Sequence, residues 1–132
     1  MKWNFGFIII ILLGLECCHP NDDEPTHFKF INASNKSIYY AFSYSYPDTT
    51  LNNITFIPYS NGNQTMKINA NDSVYIRIGV FGISQITQIF VFDAYVIENN
   101  PWDSIIVHNK VLKRFQLSVS DMKNKNWTIK YP

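Results

Sequence analysis

"SIYYAFSYSY" (37–46) is the stretch that decides the fold. Its side chains alternate: Ile38, Tyr40, Phe42, Tyr44 and Tyr46 fall on one face, and Tyr39, Ala41, Ser43 and Ser45 on the other. A period of two is that of a strand lying on a core, and aromatic residues suit the pleated surface. "YPDTT" (46–50) then stops it as a turn, with Pro47 and Asp48 supplying the geometry.

The same alternation extends outward in both directions. "HFKFI" (27–31) sets Phe28 and Phe30 on one side, and "SVYIRI" (73–78) turns Val74, Ile76 and Ile78 inward. "NITFI" (53–57) reads as a weaker strand ended by Pro58, "SNGN" (60–63) as a tight turn, and "QTMKI" (64–68) as a strand before the turn "NAND" (69–72). "TQIFVFDA" (87–94) is apolar on both faces, which predicts a central strand covered on both sides. Pro101 opens a short helix to about His108 that buries Trp102, Ile105 and Ile106. "VLKRFQL" (111–117) is a strand, Ser118 and Asp121 of "SVSD" form a capping box, and "WTIKYP" (127–132) closes the chain as a strand. Seven or eight short strands without βαβ units predict a mainly β, single-domain β-sandwich or sandwich-like barrel, with one or two short helices in the C-terminal half.

Upstream of these strands the pattern changes. Lys2 precedes "FGFIIIILLGL" (5–15), an apolar run of 11 residues, where a helix crossing a bilayer needs about 20. A positive start and a short apolar segment make the pattern of a secretory signal peptide. Cys17 and Cys18 follow it directly. A disulfide between adjacent residues staples nothing, a metal site lacks a second ligand pair, and a catalytic thiol lacks a fold to place its base. Lipid attachment fits the position better. The stretch resembles a bacterial lipoprotein signal of the form Leu-x-small-Cys, with Leu15, Glu16 and Cys17 before a modified Cys18; Glu16 departs from that pattern. The chain then divides into a lipoprotein signal peptide (1–17), an acidic flexible tether (18–26) and a β-rich globular domain (27–132). Asp22, Asp23 and Glu24 of the tether look like the acidic export signal that sends Bacteroidota-type lipoproteins to the outer face of the outer membrane. A plain solvated linker would read the same way.

Charge argues against nucleic acid. Charged residues make up 16% of the chain and the formal net charge is +1. Past Pro25 there are ten Lys and Arg against six Asp and Glu, a net of +4 scattered singly except at Lys113 and Arg114. A nucleic-acid interface concentrates its cations. No motif for a cofactor or metal is present, and none is expected. Asp93, Asp103 and His108 are the only residues from which a hydrolase could be drawn, and a lone histidine at a helix end is more often structural.

Tyr39, Tyr40, Tyr44 and Tyr46 form the best candidate binding surface, since aromatic rings stack on sugars and partner side chains. Cross-strand packing in a sheet is the stronger competing reading. If the larger set packs inward, Tyr39 is the one left exposed. Six Asn-x-Ser/Thr triplets, at Asn32, Asn35, Asn53, Asn63, Asn71 and Asn126, are discounted for a bacterial chain rich in asparagine. "DTT" (48–50), "DSV" (72–74) and "DSI" (103–105) resemble the O-glycosylation acceptor motif of Bacteroidota, which points to Thr49, Ser73 and Ser104; the last lies inside the expected helix.

"FVFDAYVIE" (90–98), "NPWDSI" (100–105), "LKRFQLS" (112–118) and "NWTIKYP" (126–132), with "SYPDTT" (45–50), resemble a family of small uncharacterised Bacteroidota-type surface lipoproteins. The resemblance covers most of the chain past the cysteines. It implies location and a single domain, and carries over no catalytic residue. The expectation is therefore a non-enzymatic, lipid-anchored protein of the outer membrane, facing the exterior. It would be held to the membrane by its N-terminal lipid and would bind a glycan or protein. The alternative is an immunity-like lipoprotein guarding against a secreted toxin or hydrolase.

Overall fold

A computed structural model describes residues 25–55, 58–59, 66–81 and 86–132. Cys18, Asp22, Asp23 and Glu24 lie outside the described residues, as do the signal segment and most of the tether. Among the described residues, seven strands form two sheets. β1 (His27–Asn32), β4 (Asp72–Arg77) and β7 (Thr128–Tyr131) make a three-stranded sheet in the order β4-β1-β7. β2 (Ile38–Ser43), β3 (Lys67–Ile68), β5 (Thr87–Asp93) and β6 (Lys113–Leu117) make a four-stranded sheet in the order β3-β2-β5-β6. Every pairing is antiparallel except β1 with β7, which places the first and last strands side by side and parallel. The chain is mainly β, in the sandwich-like arrangement that the alternation predicts.

The sheets face each other across one core. Phe28, Phe30, Ile76 and Ile129 from the smaller sheet meet Ile38, Tyr40, Phe42, Ile89, Val91 and Leu117 from the larger, with Met122 closing one end. A second core lies on the far side of the four-stranded sheet, where Tyr39, Ala41, Phe90 and Phe92 pack against Leu51, Ala94, Ile97 and Ile105. The molecule therefore has three layers: small sheet, large sheet, helices. β2 and β5 belong to the middle one, so all six residues of β2 and six of the seven in β5 are buried. The continuous apolar run 89–92 is what such a strand requires.

Three short α-helices among the described residues serve the layers. α1 (Ala94–Asn99) continues directly from β5, and α2 (Trp102–Val107) follows Pro101, matching the expected helix and burying Ile105. α3 (Val119–Asn124) begins with the expected capping box: Ser118 Oγ accepts from the Asp121 amide at 3.1 Å, and Asp121 Oδ2 accepts from the Ser118 amide at 2.8 Å.

Several details depart from the expectations. α1 is an addition; Asp93 caps it by accepting from the Tyr95 amide at 2.8 Å, and the β-branched run around it hides the change of period. "NITFI" begins in a 3₁₀ turn (Leu51–Asn53) and its described part, 53–55, forms no strand. β7 starts at Thr128 because Asn126 and Trp127 take left-handed φ values of 48° and 52°. That conformation is costly for tryptophan. It is held by the Trp127 amide donating to the Met122 carbonyl at 2.8 Å, and by the Lys29 amide donating to the Trp127 carbonyl at 2.9 Å.

Candidate functional site

The four tyrosines of "SIYYAFSYSY" do not share a surface. Tyr39 is fully buried and Tyr40 is 6% exposed, on opposite faces of β2, so the exposure expected of Tyr39 is not found. Helices cover the face that a two-layer sandwich would leave in water. Tyr44 and Tyr46, beyond the end of β2, are exposed.

Tyr39 instead anchors a polar corner at the edge of the helical layer. Its hydroxyl donates to Glu98 Oε1 at 3.0 Å, and Lys67 Nζ donates to the same oxygen at 2.7 Å. The Lys67 ammonium also sits 5.8 Å from the centroid of the Tyr39 ring, and Tyr59 meets that ring edge-on at 5.9 Å. Three elements converge here: β2 supplies Tyr39, the short edge strand β3 supplies Lys67, and the last turn of α1 supplies Glu98. Burial, then the bond to Glu98, pushes the Tyr39 phenol far above the ordinary tyrosine range. The Lys67 bond is the main cause holding the Glu98 carboxyl below the usual carboxylate range.

Two concavities flank this corner. One, of about 430 Å³, is lined by Tyr59, Glu98, Asn99, Asn100 and Trp102 and floored by Ile105. The other, of about 390 Å³, lies between Lys36, Lys67, Asp93, Tyr95 and Glu98. In the first, Asn99 and Asn100 each donate at 2.8 Å to the carbonyl one turn back, of Tyr95 and Val96, which fixes both side chains at the rim. Trp102 is braced edge-on against Phe92 at 5.7 Å. A carboxylate, two carboxamides and two aromatic rings thus surround one opening of small-ligand size.

The linear pattern of the chain does not single out Glu98, Asn99 or Tyr59, because α1 is hidden in a run that also suits a strand. The signal that finds them is Asp93 as a cap, followed by Ala94 and Ile97 at helical spacing.

The remaining candidates stay apart. Asp93 is engaged as the cap of α1 and lies 3.9 Å from Lys36. Asp103 sits in the first turn of α2 and His108 at its end, and no hydrogen bond or ion pair joins the histidine to either acid among the described residues. No group of three or more His, Cys, Asp or Glu side chains that could hold a metal occurs among them. Thr49 lies in the loop after the 46–47 turn, Ser73 in β4 and Ser104 in α2. Asn32 of the discounted triplets is fully buried. Comparison of the chain with protein-family models, curated proteins and solved structures returned no match.

Proposed function

We propose that the chain is a lipid-anchored surface lipoprotein of the outer membrane, non-enzymatic, that recognises a glycan in the cleft between the end of α1 and the start of α2. The observation that carries the glycan reading is the lining of that cleft: Glu98, Asn99 and Asn100 beside Tyr59 and Trp102. Carboxylates and carboxamides take hydrogen bonds from sugar hydroxyls, while aromatic rings stack on the apolar faces of pyranose rings. The anchor rests on the sequence: the apolar segment, Leu15 and Cys17 before Cys18, and the acidic tether.

Two measurements test this. Fatty-acid labelling in cells is expected for the native chain and for Cys17→Ala, and lost in Cys18→Ala; the reverse pattern overturns the choice of Cys18. On a glycan array, Trp102→Ala and Glu98→Gln are expected to weaken by at least tenfold whatever signal the native chain gives, which is about 1.4 kcal/mol. A native chain that binds no glycan, or variants that bind unchanged, would remove the cleft from consideration.

A further inference from the structure

We infer that the open face of the three-stranded sheet is a docking surface for an anionic lipid bilayer, resting on the reading that the chain is anchored through Cys18. Phe28, Phe30, Val74, Ile76 and Ile129 point into the core, so alternation turns the residues between them outward. On that outer face Lys29, Arg77 and Lys130 are joined by His27, Ile31 and Tyr75. The register sets His27 opposite Arg77, Lys29 opposite Tyr75, and Ile31 opposite Lys130. Tyr75 is 66% exposed, and Lys29 Nζ lies 5.8 Å from its ring centroid. β1 and β7 contain no acid, and the one acid of β4, Asp72, lies at the far end of the sheet opposite Asn32. Three of the ten cations past Pro25 therefore share a face on which these strands place no carboxylate.

Glu98 and Asp103 occupy the helical layer, two layers away, and Asp93 ends β5 in the layer between. The cationic sheet face and the cleft thus lie on opposite sides of the molecule, and in the helical layer Glu98 is paired with Lys67.

Position selects a bilayer over other polyanions. β1 begins at His27, one residue after the tether, and nine residues (18–26) reach at most about 30 Å when fully extended. The basic face starts where the tether ends. A sheet face with a tyrosine and an isoleucine among lysines and arginine matches the headgroup region, where aromatic rings settle and long cationic side chains meet lipid phosphates. With this face on the membrane, the glycan cleft points away from it.

The test uses the purified full chain and vesicles of phosphatidylcholine alone or mixed with phosphatidylglycerol. Phosphatidylglycerol is expected to tighten binding of the native chain by at least tenfold, an effect that added salt weakens. Lys29→Glu/Arg77→Glu/Lys130→Glu should keep the binding to neutral vesicles and lose the enhancement. The milder Lys29→Gln/Arg77→Gln/Lys130→Gln should behave alike if reversed charges disturb the sheet. Equal enhancement in the native and substituted chains would overturn the proposal. So would binding of dextran sulfate through these residues without any response to phosphatidylglycerol, which would assign the face to a soluble polyanion. Because vesicle binding does not require acylation, fatty-acid labelling at Cys18 fails or succeeds separately.

Discussion

At the residue scale, Glu98 is the pivot of the molecule's polar chemistry, since one of its oxygens accepts from both Tyr39 and Lys67. Its carboxyl is held below its unfolded value, so the stability it contributes is complete above the ordinary carboxylate range. That contribution disappears as the pH falls through the folded value. The pair is solvent-facing, with side chains 20% and 29% exposed, which limits the effect to about 1 kcal/mol. Thermal melts from neutral pH into the acid range should show a steeper loss for the native chain than for Glu98→Gln; parallel curves would deny the pair a role. The phenol of Tyr39 moves the opposite way and should stay protonated above the ordinary tyrosine range, as read by ultraviolet absorbance of Tyr39→Phe against the native chain. None of this was legible at Tyr39, where alternation pointed outward to water; an acid 59 residues later decides its environment.

Among the elements, the end of β1 shows how the two sheets are tied together. Asn32 is fully buried, and its Nδ2 donates to the carbonyls of Lys36 at 2.8 Å and Asn69 at 2.9 Å, with that of Ile68 at 3.3 Å. Its Oδ1 accepts from the amide of Ser34 at 3.1 Å and from the Ser34 hydroxyl at 2.7 Å. One side chain from the small sheet thereby fixes the 33–37 connection and the end of β3 in the large one. Asn32→Ala should cost about 2–4 kcal/mol in urea unfolding, because buried carbonyls lose their donor. A cost under about 0.5 kcal/mol would show that the connection holds without it. β5 offers a companion test: Ile89→Ala and Phe90→Ala empty different cores and should each cost roughly 2–5 kcal/mol. A strand with one wet face would show the loss at a single position only. That two-sided burial was readable in "TQIFVFDA", since a strand with one face in water would alternate apolar with polar side chains. α1 was not readable, because Tyr95, Val96 and Ile97 suit a strand as well as a helix and only the cap at Asp93 distinguishes them.

For the whole molecule, three layers give two unlike ends, a basic sheet and a helical layer bearing the cleft. Val107 on α2 is 76% exposed and Tyr75 on β4 is 66% exposed, so side-chain accessibility alone would make cysteines at the two sites react alike. On intact cells, a membrane-impermeant maleimide should label Val107→Cys several-fold faster than Tyr75→Cys, and the difference should vanish in detergent. Equal rates on cells would mean that the domain presents no fixed side to the membrane.

Local pattern along the chain specifies the strands other than "NITFI", the central place of β5, the capping box of α3 and the mainly β class. Each depends on neighbours along the chain: the alternation of side chains, a proline, or a serine three residues before an acid. Which faces are dry depends on contacts between elements distant in the chain. The same alternating pattern in β2 serves a two-layer sandwich with one wet face or a middle layer with none, and the choice was made by helices more than 50 residues downstream. Tertiary structure also decided that Lys29, Arg77 and Lys130, scattered singly along the chain, stand together on one face. Burial and charge density are properties of surfaces, and surfaces exist only after the chain has folded back on itself.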